Sequence, residues 1–156
     1  MRGLFTTLAQ SQRIRQAAED FRPFELTPGD NEFATHPVGV SAEAFLTAWR
    51  RRNFGEMASM VTAELHQKHG NAVPREVRLA YEEHSLSAFE VQRLSVTAAA
   101  ACTVRIETTG ADGKSKLIGL RWIREDESGG PMPVPLDGGT WRLYTWEPAR
   151  FLRVED

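Results

Sequence analysis

The chain has 156 residues, 41% of them apolar and 26% charged, with a formal charge of −2 and a pI near 6.1. That is enough for one domain with a real hydrophobic core and short for two. The charge balance argues against a nucleic-acid or anionic-membrane partner, whose footprint is a positive excess, and a single cysteine, Cys102, excludes an intramolecular disulfide or a cysteine-built zinc site.

A lone cysteine fits a reducing compartment, so the cytoplasm is the expected location. No apolar run reaches the roughly 18 residues that span a bilayer, so no transmembrane segment is expected. The opening MRGLFTTLAQSQRIRQAAEDF lacks the continuous apolar stretch of a secretory signal. Ile14, Ala17, Ala18 and Phe21 fall at i, i+3, i+4 and i+7, which predicts an amphipathic leading helix. Arg2, Arg13 and Arg15, with no acid before Glu19, also match the bias of an organellar transit peptide. FRPFELTPGDNEFATHPVGV, with three prolines and two glycines, reads as an irregular connector. Residues 1–40 therefore stand apart from a main domain at 41–148 and a tail at 149–156. His36 sits in the connector with no evident partner.

Ser41 is a good N-cap, because its hydroxyl can accept from an unpaired helix N–H. Phe45, Ala48 and Trp49 then form the buried stripe of a helix. Asn53-Phe54-Gly55 interrupts it, and Met57, Met60 and Val61 resume a helical period on a new axis. Arg50, Arg51 and Arg52 fan around the helix at about 100° per residue and cannot form one surface. The first two point to water near the helix C-terminus. The stem of Arg52 follows the core edge, with its head reaching solvent or a partner.

QKHGNAV reads as a loop, and Pro74 suits the first turn of a third helix that turns Val77, Ala80, Tyr81 and His84 to a core. Beyond His84 the period changes to alternation. SAFEVQRLSV and AACTVRIETT are two strands, GADGKS is a tight turn, KLIGLRWIRED is a third strand, and TWRLYTWEP, after a Pro/Gly-rich loop, is a fourth. Helices followed by a four-stranded antiparallel meander give an α+β fold, with the helices covering one sheet face.

The segment AFLTAWRRRNFGEM, a short second helix and antiparallel strands ending in GTWRLYTWEP resemble the NTF2-like superfamily, of cystatin-like α+β fold, over residues 41–148. The layout is closest to its scaffold branches, the type IV secretion assembly factors and the Tim44-like proteins. The Arg-bearing leader and the pair RWIRED and TWRLYTW bring it nearer the latter. The resemblance implies a curved sheet wrapped around helices as a cone, with room for a small apolar ligand. It also implies an inward carboxylate or His–Asp pair in catalytic members, and dimers through the opposite sheet face.

No acid stands out as inward-facing. Asp112 is in a turn, Glu125, Asp126, Glu127 and Asp137 flank the long loop, and Glu90 and Glu107 read as exposed. His66, His69 and His84 read as helix C-terminal residues, with no metal or other cofactor expected. Cys102 reads as a buried apolar residue. Of Arg121 and Trp122, one must face the helices: an inward Arg121 would hold a carboxylate ligand, and an outward one would pair with Glu107 across strands. The pocket candidates are thus Trp49, Tyr81, His84, Cys102, Arg121 and Trp122. Both faces of the last strand carry rings, Trp141 with Leu143 and Tyr144 with Trp146. That demands a homodimer interface at Tyr144 and Trp146, or cover by the N-terminal segment. The leading expectation is a non-catalytic binding or assembly domain with a protein partner or small apolar ligand. A small pocket enzyme (dehydratase, isomerase or hydrolase) is the second, and a partner-specific inhibitor or immunity-type protein the third.

Overall fold

A computed structural model describes residues 12, 15, 16, 19–98, 100–130 and 139–144. Helix α1 spans Pro37–Arg50 and starts earlier than Ser41. Proline has no N–H to lose in a first turn, and the preceding His36 supplies the cap: its Nδ1 accepts from the Val38 N–H at 3.2 Å. Val38, Ala42, Phe45, Leu46 and Trp49 form its buried stripe. The chain leaves α1 through Arg52, a non-glycine residue held at φ 58°. Its guanidinium donates to the Glu82 carbonyl at 2.9 Å and lies over the Phe54 ring, so the head has found a partner. Arg50 and Arg51 are exposed, as their positions predict.

Two short helices follow where one was expected. Asn53 caps α2 (Phe54–Ser59) and Thr62 caps α3 (Ala63–His69), each accepting from an N–H three residues on. The break at Met60–Thr62 has a cause in the hydrogen bonds: the Leu143 N–H donates to the Met60 carbonyl at 2.7 Å, and the Thr62 N–H donates to the Leu143 carbonyl at 3.0 Å. That backbone serves a sheet edge and cannot also serve a helix. A 3₁₀ turn at Gly70–Ala72 leads into α4 (Val73–Tyr81), whose Val73, Val77 and Tyr81 are buried.

The sheet is antiparallel and open, with five strands in the order β1-β2-β3-β4-β5: Phe24–Leu26, Leu86–Ala98, Ala101–Gly110, Ser115–Glu125 and Thr140–Leu143. The fifth strand is β1, from the segment read as an irregular connector. Three residues between Pro23 and a turn are too few to show alternation, yet they pair with Val96, Ser95 and Leu94. The predicted turn at 110–114 closes β3–β4, with Asp112 Oδ1 accepting from the Lys114 N–H and Gly113 at φ 78°.

The helices cover one sheet face. Leu94, Val96, Cys102, Val104, Ile106, Leu120, Trp122 and Leu143 point to them and are 0–1% exposed. At roughly 1.5–3 kcal/mol per fully buried large apolar side chain, this layer holds helices to sheet. The other face, here the outer face, carries the alternate residues.

Candidate functional site

The inner face brings together four of the six pocket candidates. Phe45 from α1 meets Tyr81 edge-on at 5.6 Å and Trp122 edge-on at 6.0 Å, and Trp49 meets Tyr81 at 4.8 Å. Such T-shaped pairs are the favoured aromatic geometry, worth about 0.5–1.5 kcal/mol each beyond burial. The Trp49 N–H donates to the His84 carbonyl at 2.7 Å, which ties α1 to the end of α4. Trp122 is wholly buried, and its N–H has no hydrogen-bond partner among the described residues. Cys102 lies opposite Trp122 in the register. Burial pushes its thiol up to about 12 despite a backbone hydrogen bond from Ser95, so it stays protonated and is no nucleophile at neutral pH.

Two candidates lie elsewhere. The His84 side chain is exposed, because α4 ends at Tyr81 and the turn that follows swings the ring out; its carbonyl, not its imidazole, meets the cluster. Arg121 is exposed on the outer face, since alternation gives the inner place to Trp122. Its cross-strand neighbour is Thr103, while Glu107 lies opposite Leu117, so the expected Arg121–Glu107 partnership does not form. Trp141 and Leu143 are buried on the inner face, and Tyr144 is 43% exposed. Trp146 lies outside the described residues, as do Ile14, Ala17, Ala18 and Asp137. His66 is exposed, and no three His, Cys, Asp or Glu side chains gather around one point among the described residues.

Two ionisable groups for which the sequence suggests no partner, Glu125 beside the long loop and His36 in the connector, have structural work. Glu125 is buried, and both its carboxylate oxygens accept from the Ala63 N–H, at 3.0 and 3.3 Å. It thus joins the end of β4 to the start of α3, where negative charge is favoured. His36, the cap of α1, has its ring 6.3 Å from that of Trp141. Burial lowers its pKa below the usual histidine value; Glu32 opposes that shift and Arg124 adds to it. Neither position is visible without knowing which turns of chain are neighbours.

On the outer face the register arranges charge in rows. Glu90 lies directly opposite Glu107, and Arg93 directly opposite Arg105. The β2 bulge between Val91 and Arg93 makes this possible, since it inserts Gln92 and brings both Glu90 and Arg93 to the same face. Arg93 reaches Glu25 at 3.8 Å, a pair exposed on both sides. Such pairs contribute about 0–1 kcal/mol. Comparison with family models, with curated proteins and with solved structures finds no match.

Proposed function

We propose that this chain is a non-catalytic binding or assembly domain of NTF2-like type that works as a homodimer. Its order supports the family reading: α1 to α4 precede the β2–β5 meander and pack on one side of it. The observation that carries the functional reading is the contrast between the two sheet faces. Rings from α1, α4 and β4 fill the inner side edge to face, and the thiol beside them is held neutral. The groups free to recognise something, Arg105, Arg121, Glu90, Glu107 and the hydroxyl of Tyr144, stand on the outer face and at its margin.

One observation favours a second reading, a small ligand held inside. The Trp122 N–H is a fully buried donor without an acceptor among the described residues, a costly arrangement that a bound acceptor or water would relieve. Native mass spectrometry of the full chain separates the two. A bare dimer supports the binding or assembly reading, and a dimer carrying a small organic mass shifts the function to the interior. A bare monomer at about 10 µM would sink the homodimer.

A further inference from the structure

Strand β2 is much longer than the strand that flanks it. Its 13 residues, Leu86–Ala98, pair with β3 along nearly their whole length, whereas β1 covers only Leu94–Val96. Among the described residues, the backbone of Leu86–Gln92 bonds to β3 and to no other segment. Every second residue of a strand turns its N–H and C=O to the same side, so this margin carries a row of vacant donors and acceptors. It is open as well as unpaired, since Ser87, Ala88 and Glu90 are exposed.

The row has a frame. Register shifts between Leu86 and Ala88, and between Val91 and Arg93, place a bulge at each end of Ala88–Val91. Bulges bend and twist a strand, so this short run, about 13 Å long, is the part regular enough for a neighbour to follow. The second bulge also separates the run from the β1 ladder, so that both neighbours can sit on β2 together. Such a margin suits one short extended segment.

The side chains around it specify what that segment carries. Phe89 and Val91 share the inner face with Ile106. Helix α1 runs along them in the opposite direction, with Gly39 against Leu94 and the Arg50 guanidinium 5.8 Å from the centre of the Phe89 ring. Arg50 is exposed and makes no ion pair among the described residues. An added strand brings an inner side chain beneath that guanidinium, where an acid is favoured. On the outer face Glu90 already stands opposite Glu107, so a base on its other side relieves that repulsion.

We infer that the β2 margin between its two bulges binds an extended segment of a partner protein by antiparallel strand addition, with an acidic residue under Arg50 and a basic one opposite Glu90. The inference rests on the binding or assembly reading and names the surface and the partner's chemistry. It needs no second copy of this chain.

The test is a nuclear magnetic resonance titration of the isotope-labelled full chain with a synthetic peptide, Ser-Thr-Val-Lys-Glu-Thr-Ser. Antiparallel to β2, it sets its valine opposite Val91, its lysine opposite Glu90 and its glutamate opposite Phe89. Shifts should appear at Leu86–Gln92 and in the last turn of α1, and the outward amides of Ala88–Val91 should exchange at least tenfold more slowly. Exchanging the peptide's lysine and glutamate should weaken binding about threefold or more. The double variant Arg50→Glu with Glu90→Lys should reverse that preference, which also shows that it is folded. Should it fail to fold, the ranking of the two peptides on the wild-type chain decides.

No shifts at about 1 mM peptide, shifts confined to the outer face or to β5, or equal binding of both peptides would overturn the inference. Outward amides of Ala88–Val91 that are already protected in the free chain would do the same, because the margin is then filled by the chain itself or by a second copy. Those failures leave the homodimer of the proposed function standing. A monomeric chain that takes the peptide leaves this inference standing without the homodimer.

Discussion

The two faces of one sheet obey different rules here. On the inner face the large side chains fit by volume: Trp122, Leu120, Ile106, Val104 and Leu94 form one core layer with Phe45, Leu46 and Tyr81, all at 0% exposure. On the outer face, residues one position away along the same strands are chosen by charge, and some are arranged against the stability of the single chain. Glu90 stands against Glu107 and Arg93 against Arg105 there, a pairing that folding of the single chain does not favour. The difference teaches where to look for function in a domain whose interior is committed to packing.

That contrast can be broken most severely from the inside. Trp122→Ala should cost about 3–5 kcal/mol, read by urea unfolding, because it empties a large site ringed by α1 and β3. Trp122→Phe keeps a ring and removes an N–H that has no acceptor among the described residues, so it should cost clearly less. If the two variants are equally unstable, the ring is not what the core requires. Next in size is the joint between β4 and α3. Glu125→Ala leaves the Ala63 N–H without its acceptor and should cost about 1–3 kcal/mol, whereas Glu125→Gln retains an oxygen and should lose less.

A smaller effect should appear on acidification. His36 caps α1 through a bare Nδ1, and protonation removes that acceptor and places positive charge at a helix N-terminus. Its folded pKa is lowered, chiefly by burial, so below the ordinary histidine value of 6.5 the unfolded chain binds the proton more readily. The stabilisation is therefore complete above 6.5 and is lost as pH falls through the lower, folded value. His36→Asn keeps a capping oxygen and should flatten this slope, changing stability at neutral pH by less than about 1 kcal/mol. Thermal unfolding across pH 4–8 of both proteins would show whether the slope belongs to His36. The smallest change belongs to the outer face: Arg121→Ala should alter monomer stability by no more than about 0.5 kcal/mol. A larger loss would mean that this face contributes to the fold and would blur the comparison.

What the sequence made legible follows the same division. Alternation from Cys102 to Ile106 and helical spacing from Phe45 to Trp49 are signals of burial, and the structure buries those residues. Local turn chemistry at 110–114 was equally readable, because Asp112 and Gly113 act on their immediate neighbours. Long-range partners were not. Nothing within Phe24–Leu26 announces a strand whose ladder lies about 70 residues further on. The break at Met60–Thr62 is explained only by Leu143, and His36 looked idle until Pro37 was seen to start a helix. The charged rows were hidden by the Gln92 bulge, since uninterrupted alternation would send Glu90 and Arg93 to opposite faces. Of the candidate site, the buried rings could be read from spacing, whereas the inward or outward choice at Arg121 and Trp122 required the register.

The bridge from Met60–Thr62 to Leu143 has a consequence for how copies of this chain can accumulate. It occupies the free margin of β5, while the opposite margin is a three-residue strand that follows Pro23 and carries Glu25 at its centre. Both end strands are too short to present a long row of vacant N–H and C=O groups of their own, β1 covering only Leu94–Val96 of β2 and β5 only Trp122–Glu125 of β4. The same short bridge that breaks a helix therefore keeps the Leu143 N–H and C=O from recruiting a strand of another chain.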